Sequence, residues 1–200
     1  MDFTSKDVAY CVGMSIGESL KAQDLGGLPT ADIAEGVKAV FEKEQPKFAP
    51  EQADTIIQMY LQQLNEERFA IHKEEGATFL AENGLRAEVQ TTASGLQYEV
   101  LTAGTGKKPS ATDTVEVHYH GTLIDGTVFD SSIQRNQTAK FGVHQVIKGW
   151  TEALQLMSEG SKYRLYIPQD LAYGAHPHPG GAIKPYMALI FDVELIKVMA

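Results

Sequence analysis

The chain has 200 residues, 43% of them hydrophobic, and a formal net charge of −9 at pH 7. That is an ordinary composition for a globular protein, with room for one large domain or two small ones. An acidic chain without a basic stripe is a poor partner for nucleic acid, no stretch approaches the roughly 20 apolar residues of a membrane span, and the single cysteine, Cys11, cannot close an internal disulfide.

The charge is uneven. Residues 1–85 carry 7 Lys/Arg against 15 Asp/Glu, and residues 86–200 carry 10 against 11. The split predicts an acidic first module and a nearly neutral second one. The opening MDFTSKDVAYCVG has no basic segment followed by an apolar run. A cytoplasmic location is therefore expected, or a periplasmic or exported one if a leader has been removed. Cys11 reads as a small core or interface residue.

The first 84 residues are predicted helical. Thr4-Ser5-Lys6-Asp7 has capping-box spacing, and Val8, Val12, Ile16 and Leu20 follow at helical steps. Leu25 to Pro29 breaks this helix. Asp32 and Glu35 offer a second cap, with Ile33, Val37, Val40 and Phe41 as the apolar stripe. Pro50 suits a first helical turn, and the pattern after it predicts one unbroken helix to about Asn83, about 50 Å long at about 1.5 Å per residue. Its Glu- and Lys-rich middle reads as a solvated linking helix or stalk.

From Leu85 the texture changes to alternation and turns. SGLQYEVLTAGTG predicts a strand and a glycine turn, and AGTGKK, residues 103–108, which overlaps its end, lacks phosphate-loop spacing. Val115, Val117 and Tyr119 share one face of the next strand, with Glu116, His118 and His120 on the other. Asp125-Gly126 marks a hairpin. VIKGWTEALQLM predicts a short helix with Trp150, Ala153, Leu154 and Met157 on one side, and SKYRLYIP and ALIFDVELIKV are further strands. The expected domains are residues 1–84, helical, and 85–200, an α+β module of antiparallel strands around a short helix.

Aromatic and aliphatic residues gather at the strand ends of this module. They form either a plain sheet-on-helix core or the lining of an apolar pocket whose few polar groups are Asp130 and the Tyr173 hydroxyl. In YGAHPHPGG, residues 173–181, His176 and His178 lack obvious metal partners, and His118 and His120 lie on the face opposite Tyr119. No metal and no cofactor are expected.

VHYHGTLIDGTVFDSS, VIKGW, LYIPQDLAYGAHPHPG and ALIFDVELIKV stand in the order and spacing of the FKBP family of peptidyl-prolyl isomerases, which the chain resembles over residues 93–200. Residues 1–90, with YCVGMSIGESLK ahead of the long helix, resemble the dimerisation arm of the macrophage infectivity potentiator-like subgroup in bacteria. The resemblance implies a half-open antiparallel sheet wrapped around the short helix, with a pocket between them. It implies Tyr119, Phe129, Asp130, Tyr173 and Phe191 as catalytic residues. Arg135, Val146, Ile147, Trp150, His178 and Ile183 would bind substrate. Trp150 would floor the pocket, while the Tyr173 hydroxyl and the Ile147 amide would hold substrate carbonyls. YGAHPHPGG then becomes a flap, stiffened by proline and turned by glycine.

The resemblance further implies a folding isomerase acting on X-Pro peptides and unfolded clients, inhibited by macrolide immunosuppressants. It implies a homodimer seam at Val12, Gly13, Ile16 and Gly17; the alternative for this stripe is a tight crossing of the first helix on its own neighbours. Three departures bear on peptide preference and macrolide affinity: Ala139 replaces a common phenylalanine, the flap is one residue longer, and Lys184 precedes Pro185. Two other functions compete. One is a chaperone-like dimer that mainly holds clients, and the other is metal handling through His176 and His178.

Overall fold

Four helices precede the first strand of the computed structural model, which describes residues 2–199. Helix α1, Ser5–Ala22, begins with the predicted capping box. The Asp7 amide donates to Thr4 Oγ1 at 3.4 Å, and the Thr4 amide donates to Asp7 Oδ2 at 2.8 Å. Helix α2, Thr30–Phe41, starts earlier than expected. Pro29 is its N-cap, with φ −62°, and no side chain caps it. Proline fixes the entry dihedral without needing a hydrogen bond, which leaves Asp32 in the first turn as a charge on the helix dipole and Glu35 to pair with Lys47 at 2.9 Å.

The predicted single long helix is two: α3, Pro50–Arg68, and α4, Ala70–Asn83. Phe69 interrupts them at φ −111°, ψ 14°. No residue of α3 is buried, whereas α4 buries Gly76 and Asn83. Tertiary packing sets the course of α4, and helix propensity, which runs unbroken through the sequence here, cannot register that.

By internal contacts the chain divides into one unit ending at Leu64 and another beginning at Asn65. In the first unit α1, α2 and α3 bury no residue, and Leu25 is the one buried hydrophobic among the described residues. Cys11 is exposed, so of the expected core or interface position the core one does not hold within the chain.

The second unit is built on a seven-stranded, wholly antiparallel sheet in the order β1-β2-β6-β7-β3-β4. Its strands are β1 Gln90–Thr91, β2 Gln97–Thr102, β3 Thr114–Thr122, β4 Val128–Ser131, β5 Ala139–Gly142, β6 Lys162–Ile167 and β7 Leu189–Met199. Strict alternation along β3 buries Val115, Val117 and Tyr119 and turns Glu116, His118 and His120 to the other face, as predicted. One edge of β3 forks: its first half pairs with β5 and its second with β4. Helix α5, Lys148–Leu156, packs Trp150, Ala153 and Leu154 into the core formed with β3, β6 and β7. Gly149 makes this possible, because a Cβ there would lie 2.6 Å from Ile167 Cγ2.

Helix α4 belongs to this unit. Its Phe79 meets the Tyr166 ring at 5.8 Å. Asn83 donates to Gln97 Oε1 at 2.8 Å, and Gln97 donates back to the Leu80 carbonyl at 2.8 Å. The α+β architecture, helices followed by an antiparallel sheet packed on a short helix, is the predicted one.

Candidate active site

The fork in β3 places aromatic side chains on both sides of one strand end. Phe129 and Asp130 come from β4, Phe141 from β5, Tyr119 from β3 and Phe191 from β7. Trp150, in the first turn of α5 and 4% exposed, lies beneath them. Its ring takes edge-to-face contacts from Tyr119 at 5.4 Å, Phe141 at 5.8 Å and Phe191 at 5.2 Å. Phe129 meets Phe191 edge-on at 5.3 Å. Such pairs favour edge-to-face geometry because the ring edge is positive and its face negative.

Above Trp150 opens a cleft of two adjoining chambers, about 460 and 250 Å³. The first is lined by Tyr119, Phe141, Val146, Ile147 and Trp150, the second by Phe129, Pro177 and Ile183; Asp130, Tyr173, His178 and Phe191 serve both. The structure therefore gathers every residue expected to act on substrate. Arg135, the only one of them lining neither chamber, pairs with Asp130.

Asp130 is the one carboxylate in the lining. Tyr119 Oη donates to its Oδ2 at 2.6 Å, and Arg135 donates to its Oδ1 through one nitrogen and to Tyr119 Oη at 2.8 Å through another. Burial pushes the carboxyl up, but the hydrogen bonds of Tyr119 and Arg135, with the arginine charge, outweigh it and hold the group below its ordinary value. The Tyr119 hydroxyl moves up, through burial first and then its bond to Asp130. Tyr173 also moves up, through burial and then the Asp130 charge. The cleft thus holds a fixed anion beside two phenols that stay protonated at neutral pH, all in an apolar frame. Ile147 is the N-cap of α5, where the amides stand outside the intrahelical ladder.

The segment after Tyr173 forms the flap. Gly174 and Gly180 turn it with φ of 54° and 80°, and the rings of Tyr173 and His178 lie 6.1 Å apart. His176 is not among the lining residues. His118 and His120 sit on the other face of β3, each 3.0 Å from a serine hydroxyl, Ser132 and Ser131. Among the described residues no three His, Cys, Asp or Glu side chains gather as metal ligands.

Two contributors carry no named role in the sequence. Phe141 is one of the aromatic residues that form either core or pocket lining, and the pairing of β5 with β3 makes it a wall. Gly121 of β3 was not singled out. A Cβ there would lie 2.7 Å from Phe129 ring atoms and 2.8 Å from Phe191. Its signal was available, since glycine inside a strand often marks close approach by another group.

The seam residues lie elsewhere. Val12 and Ile16 on α1 are exposed, and nothing approaches within 4 Å of a Cβ built on Gly13 or Gly17. The alternative of a tight crossing within the chain therefore fails.

The family model described as FKBP-type peptidyl-prolyl cis-trans isomerase matches residues 105–196, and that described as the domain amino terminal to FKBP-type peptidyl-prolyl isomerase matches residues 5–100. The FKBP-type 22 kDa peptidyl-prolyl cis-trans isomerase of Escherichia coli K12 is 38% identical over 205 residues, covering 99% of this chain and 97% of the relative. A Legionella longbeachae protein named outer membrane protein MIP is 40% identical, covering 98% of this chain and 86% of its own length. The crystal structure of FkpA from Escherichia coli superposes with a TM-score of 0.66 at 34% identity, covering 100% of this chain and 98% of that one.

Proposed function

Because this chain belongs to the FKBP-type peptidyl-prolyl cis-trans isomerases, it turns X-Pro peptide bonds, and we propose that it does so in the aromatic cleft above Trp150. The observation that carries this reading is the juxtaposition there of an aromatic box with the Asp130–Tyr119–Arg135 cluster.

The chemistry suits the place. Rotation about an X-Pro bond faces a barrier of roughly 18–20 kcal/mol because it destroys amide resonance. No covalent bond to another atom is made or broken, so the site needs neither nucleophile nor metal. The twisted amide is less polar than the planar one, and an apolar enclosure favours it relative to water. Each tenfold in rate asks for about 1.4 kcal/mol of that preference. Trp150 supplies a flat floor for the proline ring. The Tyr173 hydroxyl and the Ile147 amide donate to substrate carbonyls, fixing the flanking backbone while the bond turns. Asp130, held ionised, orients Tyr119 and sets the local field; it is not a proton-transfer group. Phe129, Val146, His178, Ile183 and Phe191 wall the cleft. Macrolide inhibitors belong in the same enclosure, and Ala139 leaves more room beside Phe141 than a phenylalanine would.

The family assigns isomerisation as the activity, and a pocket that mainly holds clients is not favoured. X-Pro peptides and unfolded protein segments are the proposed substrates. We divide the chain into a helical dimerisation arm, residues 1–84, and an isomerase domain, residues 85–200, with α4 also bracing the sheet. A first unit whose helices bury nothing cannot be stable alone, and a second copy across Val12, Gly13, Ile16 and Gly17 would cover it. Two cleft-bearing domains joined in this way would raise the local concentration of sites for one client, a chaperone-like advantage. The expected cytoplasmic location finds no support in the relatives. The name of the Legionella protein favours an exported one. No described helix is long and apolar enough to cross a membrane.

The test is the cis-to-trans rate of a short X-Pro peptide. Asp130→Ala and Phe129→Ala should each lower kcat/KM by at least about tenfold, equivalent to about 1.4 kcal/mol. Values within about twofold of wild type, less than about 0.5 kcal/mol, would remove the cleft from the mechanism.

A further inference from the structure

The flap begins at Tyr173, after β6 has ended at Ile167 and a 3-10 turn has run over Gln169–Leu171, and it returns toward β7 through Lys184, Pro185 and Tyr186. Its neck is closed by the Tyr186 amide, which donates to the Gly174 carbonyl at 2.8 Å. Tyr186 has φ +64°, in the left-handed region where a bulky side chain is a real outlier. It is also 5% exposed. A strained conformation persists only where the surroundings over-determine it, and here helix α4 does so. His72 Nδ1 lies 3.0 Å from the Pro185 carbonyl. A carbonyl can only accept, so Nδ1 carries the proton. One residue on, Lys73 Nζ sits 4.5 Å from the centroid of the Tyr186 ring, a cation–π contact. One turn further, Gly76 lets the helix reach Ala188, where an added Cβ would come within 3.3 Å of the Ala188 Cβ.

We infer that α4 is a positioning element for the active-site flap: His72 and Lys73 hold Pro185 and Tyr186 in the conformation that closes the flap neck, and so set where Tyr173, His178 and Ile183 stand over the cleft. None of these α4 residues lines the cleft. The inference rests on the cleft being the isomerase site. Its consequence is that the helix leading out of the amino-terminal segment reaches the catalytic loop, so a load on that helix is read out at the flap. Flap residues contact what flanks the proline, not the bond that turns. Loosening the neck should therefore weaken substrate binding more than it slows rotation.

The experiment compares full-length wild type with His72→Leu, His72→Asn and Lys73→Met. Two quantities are read: hydrogen exchange of the Tyr186 amide, and kcat and KM separately on a proline peptide with bulky flanking residues. Leucine fills the space of His72 but cannot donate, whereas the Asn amide can. The expected result is faster Tyr186 exchange in His72→Leu, with KM raised at least about threefold and kcat within about twofold. His72→Asn should restore both, and Lys73→Met, at an exposed position, should shift both in the same direction by less. Unchanged Tyr186 exchange in His72→Leu and Lys73→Met overturns the proposal. So does faster exchange with an unchanged KM, or a His72→Asn variant that behaves like His72→Leu. Exchange at Tyr186 is read without turnover, so a misplaced cleft, exposed by active Asp130→Ala, is distinguishable from an uncoupled helix.

Discussion

Gly121→Ala adds one methyl group at a residue that does not itself line the cleft, yet it should disable the cleft. The added carbon would lie 2.7 Å from two atoms of the Phe129 ring and 2.8 Å from Phe191. Carbon atoms in good contact stand about 3.5–4.0 Å apart, so each ring must retreat by about 1 Å. The Phe129–Phe191 contact at 5.3 Å and the Phe191–Trp150 contact at 5.2 Å would then open together. Overpacking of this kind costs about 1–3 kcal/mol of stability. Displacements of about 1 Å in a positioned group can cost about a hundredfold in rate, and part of that will relax because the cleft side of each ring is open. The expectation is a fall in kcat/KM of about tenfold or more on a short X-Pro peptide, measured where circular dichroism shows the variant fully folded. A folded variant with kcat/KM within about twofold of wild type would refute the claim that ring placement creates the catalytic environment.

Two further outcomes follow from the geometry. The Asp130 carboxyl is held below its ordinary value, so its pairing stabilises the fold fully above the unfolded value of about 3.9 and is lost as pH falls through the lower folded value. The gap in thermal midpoint between wild type and Arg135→Met should therefore be complete at neutral pH and close below about pH 4; a gap independent of pH would mean that Arg135 acts through packing alone. On α1, Ile16→Asp places a charge in the exposed apolar stripe beside Gly13 and Gly17. Sedimentation should show wild type as a dimer and both Ile16→Asp and a chain beginning at residue 65 as monomers with peptide turnover retained. A wild-type monomer, or a dimeric Ile16→Asp, would discard this seam.

Local signals carried much of the fold. The Thr4–Asp7 spacing, the proline at position 50, the alternation through β3 and the apolar side of α5 each report a preference that acts within a few residues, and each was legible in the chain. The four motifs shared with the isomerase family also contain most of the residues that line the cleft. What local preference cannot express is who packs against whom. The helical run from Pro50 to Asn83 shows no break in sequence, yet the folded chain interrupts it at Phe69, and α4 beyond that point packs against the sheet. Phe141 became a wall because β5 pairs with one half of β3, and Gly121 mattered because two rings from different strands converge on it. His72 and Lys73 read as solvated helix residues until α4 lay beside Pro185 and Tyr186. Residue types and their local spacing thus determined the elements and the chemistry available, whereas the contacts that strain, position and couple those elements depend on which elements come to lie together, as between His72 and Pro185 with a separation of 113, which only the folded chain decides.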